Sequence, residues 1–284
     1  MTTTTIEAPR TASRLLWLDL TRKCQLNCTH CSNSSGPDGD HGTMTRADWL
    51  RVLNEAASAG VDRVQLIGGE PTMHPDALDI ARLALALGLD VEVYSNLVHI
   101  GDDWWELFAH DRVSVATSYY AADAAAHNAV TGRPSHQRTR SNIIRAISAG
   151  VRLRVGIVTT GDDTQAERAA ADLRELGVTD IRVDRVRPLG RAAAGEPESP
   201  AGLCGRCGDG RVAVGPTGEV SPCFMSSWMS VGNVQQASLA AIVGGAAMAE
   251  ATTSIRAVTR PNDGCDPDDE CSPGHPGSGC NPRT

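Results

Sequence analysis

The chain has 284 residues, enough for one large domain or for a medium domain with a small appendage. Hydrophobic residues make up 41% and charged residues 21%, and charges interrupt the longest apolar stretch, at 77–93, so we expect no membrane partner. The polar start, MTTTTIEAPR, lacks the features of a secretory signal, and we expect a cytoplasmic protein. A net charge of −8 without a basic run disfavours nucleic-acid partners.

The first part of the chain alternates β-rich and helix-rich segments. Residues 1–13 are short and polar, and we expect them to be disordered. Strands are predicted at 15–20, 64–67, 91–94, 113–117, 153–158 and 181–186, separated by alanine-rich amphipathic stretches. This alternation predicts an α/β fold, a partial (β/α)6 TIM-like barrel over residues 14–190.

Glycines mark the ends of the predicted helices. Thr45 and Asp48 predict a capping box at the start of the first helix. Four helices are then followed by a glycine and a Val or Leu that precedes the next strand, as expected if each glycine adopts the left-handed conformation. These glycines are Gly60, Gly88, Gly150 and Gly177.

The composition changes after the sixth predicted strand. Residues 191–202 are rich in Gly, Ala and Pro and show no apolar period, which indicates a linker. Residues 203–284 are predicted to form a small cysteine-rich domain with a hairpin at 211–214 and 219–221 and a helix at 239–249. After Asn262 no Val, Ile, Leu, Met, Phe, Trp or Tyr occurs, so we expect a metal to organise this tail.

Nine cysteines in a chain without an export signal indicate metal ligands, because the cytosol keeps thiols reduced. Cys24, Cys28 and Cys31 fall within eight residues, directly after the first predicted strand. Three thiolates can hold three corners of a four-iron cluster and leave one iron open to bind a ligand. A structural zinc with His30 as fourth ligand is the alternative.

The spacing Cys24-x3-Cys28-x2-Cys31, followed by Gly-Gly-Glu-Pro at 68–71 after the second strand, resembles the radical S-adenosylmethionine (SAM) enzymes over about residues 14–188. In that family the open iron of a 4Fe-4S cluster chelates the methionine end of SAM. An electron from the cluster cleaves the sulfonium, and the resulting 5'-deoxyadenosyl radical abstracts a hydrogen atom from the substrate. The resemblance implies the cluster and SAM as cofactors.

Several residues are candidates for binding SAM. Gly68 and Gly69 allow close approach of the backbone, and Glu70 offers a carboxylate to the methionine amine. The structural alternative is a tight turn in which Glu70 caps the next helix. The resemblance implies that His30 packs beside the adenine.

Polar residues at the carboxyl ends of later strands are further candidates, since such residues face the site in β/α barrels. The resemblance implies that Ser95, Asn96 and Ser118 contact the SAM ribose and carboxylate; as isolated residues they would be helix caps. Arg133 is similar in place to a family arginine that pairs with the carboxylate, and Arg138 is equally near. No catalytic side chain is assigned.

Six cysteines form the second group, and the segment Cys207-x10-Gly218-x4-Cys223 resembles the opening of the SPASM domain, an auxiliary-cluster extension. In one interpretation two auxiliary 4Fe-4S clusters form, with His275 as fourth ligand of the first. In the other a single four-cysteine cluster forms, as in the shorter twitch-type extensions, and two cysteines are spare. Zinc is a further alternative because Cys204-x2-Cys207 is zinc-like spacing. The six cysteines are Cys204, Cys207, Cys223, Cys265, Cys271 and Cys280.

The resemblance implies a radical SAM enzyme that abstracts hydrogen from a peptide, a ribosomally synthesised precursor, to form a crosslink or an epimerised residue. It also implies an electron donor such as flavodoxin or ferredoxin, with the leader recognised by the barrel, the extension or a separate protein. Two alternatives stay open. One is a twitch-type dehydrogenase of a sugar or cyclitol, and the other is a non-catalytic iron-sulfur redox sensor.

Overall fold

The structure is a computed structural model that describes residues 14–259. Its first six strands form a parallel sheet in which each strand pairs with the next along the chain. The predicted α/β class is confirmed, and every strand boundary lies within about one residue of the prediction, inside the usual scatter of strand assignments. The strands are β1 (Leu15–Asp19), β2 (Arg63–Ile67), β3 (Asp90–Tyr94), β4 (Val113–Ser118), β5 (Leu153–Thr159) and β6 (Asp180–Arg185).

Helices connect these strands, and the crossover from β4 to β5 holds two of them. They are α1 (Arg46–Ser58), α2 (Ala77–Ala86), α3 (Asp102–Phe108), α4 (Ala124–Thr131), α5 (His136–Ser148) and α6 (Asp163–Glu175). The capping box at Thr45 and Asp48 is confirmed. The predicted left-handed glycines are confirmed too, with φ of +80°, +80°, +70° and +92° at Gly60, Gly88, Gly150 and Gly177. Among residues 14–259, no helix combines the length and hydrophobicity that crossing a bilayer requires.

The apolar side chains of β1 are divided between the two faces of the sheet, since successive strand residues point in opposite directions. Leu16 and Leu18 pack with Trp49 of α1 in the core on the helix side. Trp17 lies in a second apolar cluster that contains Cys223. The face of the sheet that turns away from the helices therefore packs against the C-terminal part of the chain.

The C-terminal part extends the same sheet. Strand β7 (Arg211–Val214) pairs in parallel with β1, and β8 (Glu219–Ser221) and β9 (Gly232–Asn233) follow as antiparallel neighbours. The predicted hairpin is thus confirmed. The resulting sheet has nine strands in the order β6-β5-β4-β3-β2-β1-β7-β8-β9, with β1 in its interior.

The predicted single helix at 239–249 is wrong. The chain forms two helices, α7 (Leu239–Val243) and α8 (Ala246–Val258), on either side of Gly244 and Gly245. Glycine is a poor helix former because it loses more backbone entropy than other residues, and Gly245 takes extended backbone (φ −82°, ψ 163°) as the N-cap of α8. The glycine pair was the available signal for this break.

Candidate functional site

The loop after β1 brings three predicted metal ligands to one cavity. Cys24, Cys28 and Cys31 all line a cavity of about 270 Å³. The Cys24 N–H donates to the Gly36 carbonyl oxygen (3.0 Å), and the Cys31 N–H donates to that of Cys28 (3.3 Å). All three cysteine residues thus border the same space, as a cubane cluster with one open iron requires.

Burial changes the protonation of two of these thiols. It raises the pKa of Cys24 to about 12 and that of Cys28 to about 11. At neutral pH both are therefore protonated in metal-free protein, because a buried thiolate is poorly solvated. Iron binds the thiolate, so loading this site releases protons.

The turn after β2 packs against the start of the cysteine loop. The Gly69 N–H donates to the Thr21 carbonyl oxygen (2.7 Å), and the Glu70 N–H donates to that of Lys23 (2.9 Å). A Cβ atom on Gly68 would lie 2.6 Å from the Thr21 oxygen, and one on Gly69 would also meet backbone closer than 3.0 Å. Gly68 has φ of +138°. Both glycines line the cavity, so their backbone is available to a ligand.

The Glu70 carboxylate has different partners from those expected. It is 1% exposed and is not part of the cavity wall. One oxygen accepts from the Asn96 N–H (2.8 Å), and the other accepts from the Thr72 hydroxyl (2.7 Å) and N–H (3.2 Å). Burial raises the pKa of Glu70 despite these donors. Because a buried carboxylate takes the nearest donors, it joins the β2 and β3 turns.

Two of the three polar candidates at the ends of β3 and β4 line the cavity. Asn96 does so, and its side-chain nitrogen lies 3.7 Å from the Cys24 sulfur. Ser118 does so as well, with its hydroxyl 3.0 Å from that of Tyr94. Ser95 is buried outside the cavity wall, and its hydroxyl accepts from the backbone two residues later, as in the capping alternative.

His30 lines the cavity, whereas Arg133 does not. The His30 ring packs edge-on against Tyr120, with ring centroids 5.0 Å apart. Burial and the charge of Arg191 lower the pKa of His30, so the ring is neutral at pH 7. Arg133, between α4 and α5, and Arg138, in α5, are exposed and do not line the cavity, so the structure does not bring Arg133 to the other candidates. An unpaired guanidinium stays in water because burial removes its solvation.

The polar side chains on the inner face of the strands were not predicted from the sequence. Arg154 of β5 is 8% exposed, forms an ion pair with Glu92 of β3 (2.7 Å) and lies over the Tyr94 ring (5.8 Å). Gln65 of β2 donates to Glu92 and accepts from the Trp17 ring nitrogen (2.6 Å). The available signal was a charged or amide residue with an apolar neighbour on each side within a strand, since alternate residues share a face.

A buried hydroxyl at the cavity wall has no partner. Ser35 lines the cavity, and its Oγ atom makes no hydrogen bond to any residue that the structure describes. Leaving such a hydroxyl unsatisfied costs roughly 1–3 kcal/mol, so a polar ligand would find a free partner there. Together with the three thiols and the glycine backbone, this wall fits an iron-sulfur cluster with SAM.

The first cysteines of the second group also lie together. Cys207 is buried and hydrogen-bonds to the thiols of Cys204 and Cys223; these contacts and burial raise the pKa of Cys207. Phe224 and Met225, directly after Cys223, line the same cavity as the three N-terminal cysteines. The residues directly after Cys223 therefore reach the cavity that the three N-terminal cysteines line. Four predicted ligands lie outside the described residues: Cys265, Cys271, His275 and Cys280.

Two curated relatives are named as a maturase and as a peptide cyclase. The chain is 33% identical over 181 residues to mycofactocin maturase MftC of Mycobacterium tuberculosis (strain ATCC 25618 / H37Rv), covering 62% of this chain and 45% of the relative. It is 44% identical over 86 residues to PqqA peptide cyclase of Methylorubrum extorquens (strain PA1), covering 30% of this chain and 21% of the relative. The chain thus matches less than half the length of either relative.

Solved structures share the fold. SuiB of Streptococcus suis bound to S-adenosylmethionine aligns with a TM-score of 0.71 at 18% identity, covering 93% of this chain and 73% of that chain. Native anSMEcpe with bound AdoMet and Cp18Cys peptide aligns with a TM-score of 0.67 at 14% identity, covering 92% and 88%. At these identities the likeness concerns the fold alone.

Two family models match along the chain. The iron-sulfur cluster-binding domain SPASM matches residues 204–272, which include β7, β8 and β9. The Radical SAM superfamily matches residues 18–176, from the end of β1 to the end of α6. Because this second match covers more than half of the sequence, the chain belongs to the radical SAM superfamily.

Proposed function

We propose that this chain reductively cleaves SAM and abstracts a hydrogen atom from a peptide, a ribosomally synthesised precursor, to form a crosslink or an epimerised residue. The observation that carries the proposal is the convergence of Cys24, Cys28 and Cys31 with the backbone of Gly68 and Gly69 on one cavity. Thiolates and an open backbone are what a three-ligand cluster and its bound SAM need.

Family membership supplies the cofactors: a 4Fe-4S cluster with SAM in the barrel, and an iron-sulfur cluster in the SPASM domain. When bound, the cluster provides the electron that cleaves the SAM sulfonium and yields the 5'-deoxyadenosyl radical. In our proposal Cys24, Cys28 and Cys31 hold this cluster. Asn96 and the glycine turn position the methionine end of SAM, and the neutral His30 ring packs beside the adenine.

A peptide is the substrate class that the comparisons favour, since one curated relative is named a peptide cyclase and another a maturase. The cavity supports this choice because it offers Arg154 and Arg182 of the strands beside Phe224 and Met225, and so suits a chain of mixed polarity. The domains we propose are the barrel at 14–190, the linker at 191–202 and the auxiliary domain at 203–284.

The proposed partners follow from the reaction. Reductive cleavage consumes an electron, which a flavodoxin or ferredoxin would deliver to the cluster. The leader of the precursor would be recognised by a separate protein, by the barrel or by the extension. We place the reaction in the cytoplasm, where the ligand thiols stay reduced.

The test is anaerobic reconstitution with iron and sulfide, followed by addition of dithionite and SAM. We expect 5'-deoxyadenosine to form with the wild-type chain, and its formation to be abolished when Cys24, Cys28 and Cys31 are changed together to Ala. As a matched control, the buried thiol of Cys223 is changed to Ala, which leaves the three N-terminal ligands intact and should allow cleavage. Undiminished cleavage in the triple variant would refute the assignment.

A further inference from the structure

The segment after β6 returns to the cysteine loop and packs against its backbone. The Arg191 N–H donates to the Cys31 carbonyl oxygen at 3.0 Å. Gly190 has φ of +53°, and a Cβ atom there would meet the carbonyl oxygens of Cys31 and Ser32 closer than 3.0 Å. Only glycine allows this contact, so the chain at 190–191 is built to touch the loop.

The Arg191 side chain completes the contact. Its Nε donates to the Cys28 carbonyl oxygen (2.7 Å), and its Nη2 donates to that of Ser35 (2.7 Å). Within residues 14–259 this guanidinium forms no ion pair with a carboxylate. Its positive charge is thus held beside the cysteine loop and is not neutralised by a neighbouring side chain. The fork of the guanidinium also fixes both ends of the loop segment 28–35.

A second donor reaches the same cysteine from the opposite element. Tyr120, which follows β4, places its hydroxyl beside the Cys28 thiol, to which it can donate. The Tyr120 hydroxyl also contacts Ser118, and Ser118 contacts the Tyr94 hydroxyl (3.0 Å). If each hydroxyl donates to the next, the chain runs from Tyr94 to Ser118 to Tyr120 and ends on the Cys28 sulfur. Such chains polarise one another and strengthen the last bond.

Both contacts act on the charge of this cysteine. The Arg191 guanidinium carries a positive charge and donates to the Cys28 carbonyl oxygen at 2.7 Å, and the Tyr120 hydroxyl lies beside the Cys28 sulfur. They therefore favour negative charge at the sulfur. Reducing an iron-sulfur cluster by one electron adds negative charge to the cluster and its thiolates, and hydrogen bonds to sulfur and nearby cations stabilise that form.

We propose that Arg191 and Tyr120 are positioning residues that fix the Cys28 corner of the cluster site and raise the reduction potential of the cluster held there. This inference rests on the proposed role of Cys24, Cys28 and Cys31 as cluster ligands. A higher potential eases the one-electron reduction that precedes SAM cleavage. Neither residue touches the reacting atoms in this proposal; both act through Cys28.

The test is a redox titration of reconstituted full-length protein with dithionite, followed by electron paramagnetic resonance. The signal that changes on addition of SAM identifies the cluster at Cys28 and separates it from auxiliary clusters. At the wild-type midpoint, Arg191→Gln should lower the ratio of reduced to oxidised cluster about tenfold, about 59 mV for a one-electron couple. Tyr120→Phe should lower this ratio about threefold, as for loss of one hydrogen bond.

Two control variants carry the same chemical changes elsewhere. Arg185→Gln removes an exposed arginine that lines the same cavity, and Tyr119→Phe removes a hydroxyl that bonds to Asp172 and His136, not to a cysteine. Both should keep the wild-type midpoint. Arg191→Lys keeps the charge and should stay closer to wild type than Arg191→Gln.

Unchanged midpoints in both Arg191→Gln and Tyr120→Phe would overturn the inference, as would equal shifts in the controls. If Arg191→Gln does not retain iron, its midpoint cannot be compared with that of the wild type. The midpoints of Tyr120→Phe and Arg191→Lys then test the inference, because each of these variants keeps one of the two contacts. A wild-type signal that does not respond to SAM would contradict the proposed function itself, and this inference with it. Normal 5'-deoxyadenosine formation with unchanged midpoints would contradict this inference alone.

Discussion

At the scale of single residues, Glu70 joins two turns of the barrel. Changing Glu70 to Ala would leave the buried N–H groups of Thr72 and Asn96 without their acceptor, at a cost of roughly 1–3 kcal/mol for each unsatisfied group. We expect Glu70→Ala to lower the free energy of unfolding by about 2–4 kcal/mol and to weaken SAM binding through displacement of Asn96, with iron retained. Glu70→Gln keeps one acceptor oxygen, so its free energy of unfolding should fall by less than that of Glu70→Ala.

Denaturant unfolding and equilibrium dialysis with SAM measure these two effects. Asp79→Asn is the matched control, because this carboxylate only pairs with Arg46 on an exposed surface and should change stability little. Wild-type stability in Glu70→Ala combined with lost SAM binding would instead place the carboxylate in direct contact with SAM.

The buried thiols give a pH-dependent prediction for metal-free protein. With the pKa of Cys28 near 11 and that of Cys24 near 12, both raised from 9.0, the thiolate at pH 8 is scarcer than in an unfolded chain. Alkylation by iodoacetamide should therefore be roughly a hundredfold slower at Cys28 than in urea, and slower still at Cys24. The raised pKa also stabilises the fold below about pH 9, and that contribution is lost as pH rises toward 11–12.

Mass spectrometry of timed samples reports each cysteine separately. The urea-unfolded chain is the reference, since its thiols have the unshifted pKa. Alkylation of both cysteines at the unfolded rate would show that the loop does not bury them in solution.

At the scale of elements, the β2 turn and the cysteine loop depend on each other. An alanine at 69 would place its Cβ against the Lys23 carbonyl, which cannot move without moving the loop. We expect Gly69→Ala to lose most of the iron at the three N-terminal cysteines. Gly101→Ala is the control, because Gly101 starts α3 with nothing within 4 Å of the added atom. Equal iron contents in the two variants after reconstitution would contradict this expectation.

An element is predicted well from the sequence when its contacts join residues that are close along the chain, and poorly when they join distant residues. Strand boundaries followed from local alternation, and the cysteines and glycines from their close spacing. Arg191 and Cys28 are 163 positions apart, so no local pattern joins them. The contact between the Glu70 carboxylate and the Asn96 N–H could not be predicted for the same reason, because Asn96 follows the next strand. The break between α7 and α8 could have been predicted from the glycine pair alone.

At the scale of the whole molecule, one sheet carries both cysteine groups. Because β7 pairs with β1, the element that leads into the first group also borders the second. The loop between β1 and α1 adds to this contact, since the N–H of Thr43 donates to the Pro216 carbonyl oxygen (2.9 Å). The barrel and the β7–β9 segment therefore belong to one folded body within residues 14–259.

The iron content of the C-terminal domain decides how many auxiliary clusters it holds. In the variant with Cys24, Cys28 and Cys31 changed to Ala, only the second cysteine group can hold iron. We expect about eight irons per chain, two four-iron clusters, as against about four for a single cluster.

His275 gives an independent check on this count. Six cysteines cannot supply four ligands to each of two clusters, so His275→Ala should alter the electron paramagnetic resonance of the first auxiliary cluster, because histidine can replace cysteine on iron. His99→Ala, an exposed histidine between β3 and α3, is the matched control. About four irons with an unchanged spectrum in His275→Ala would establish the single four-cysteine cluster, and zinc in place of iron would refute both cluster models.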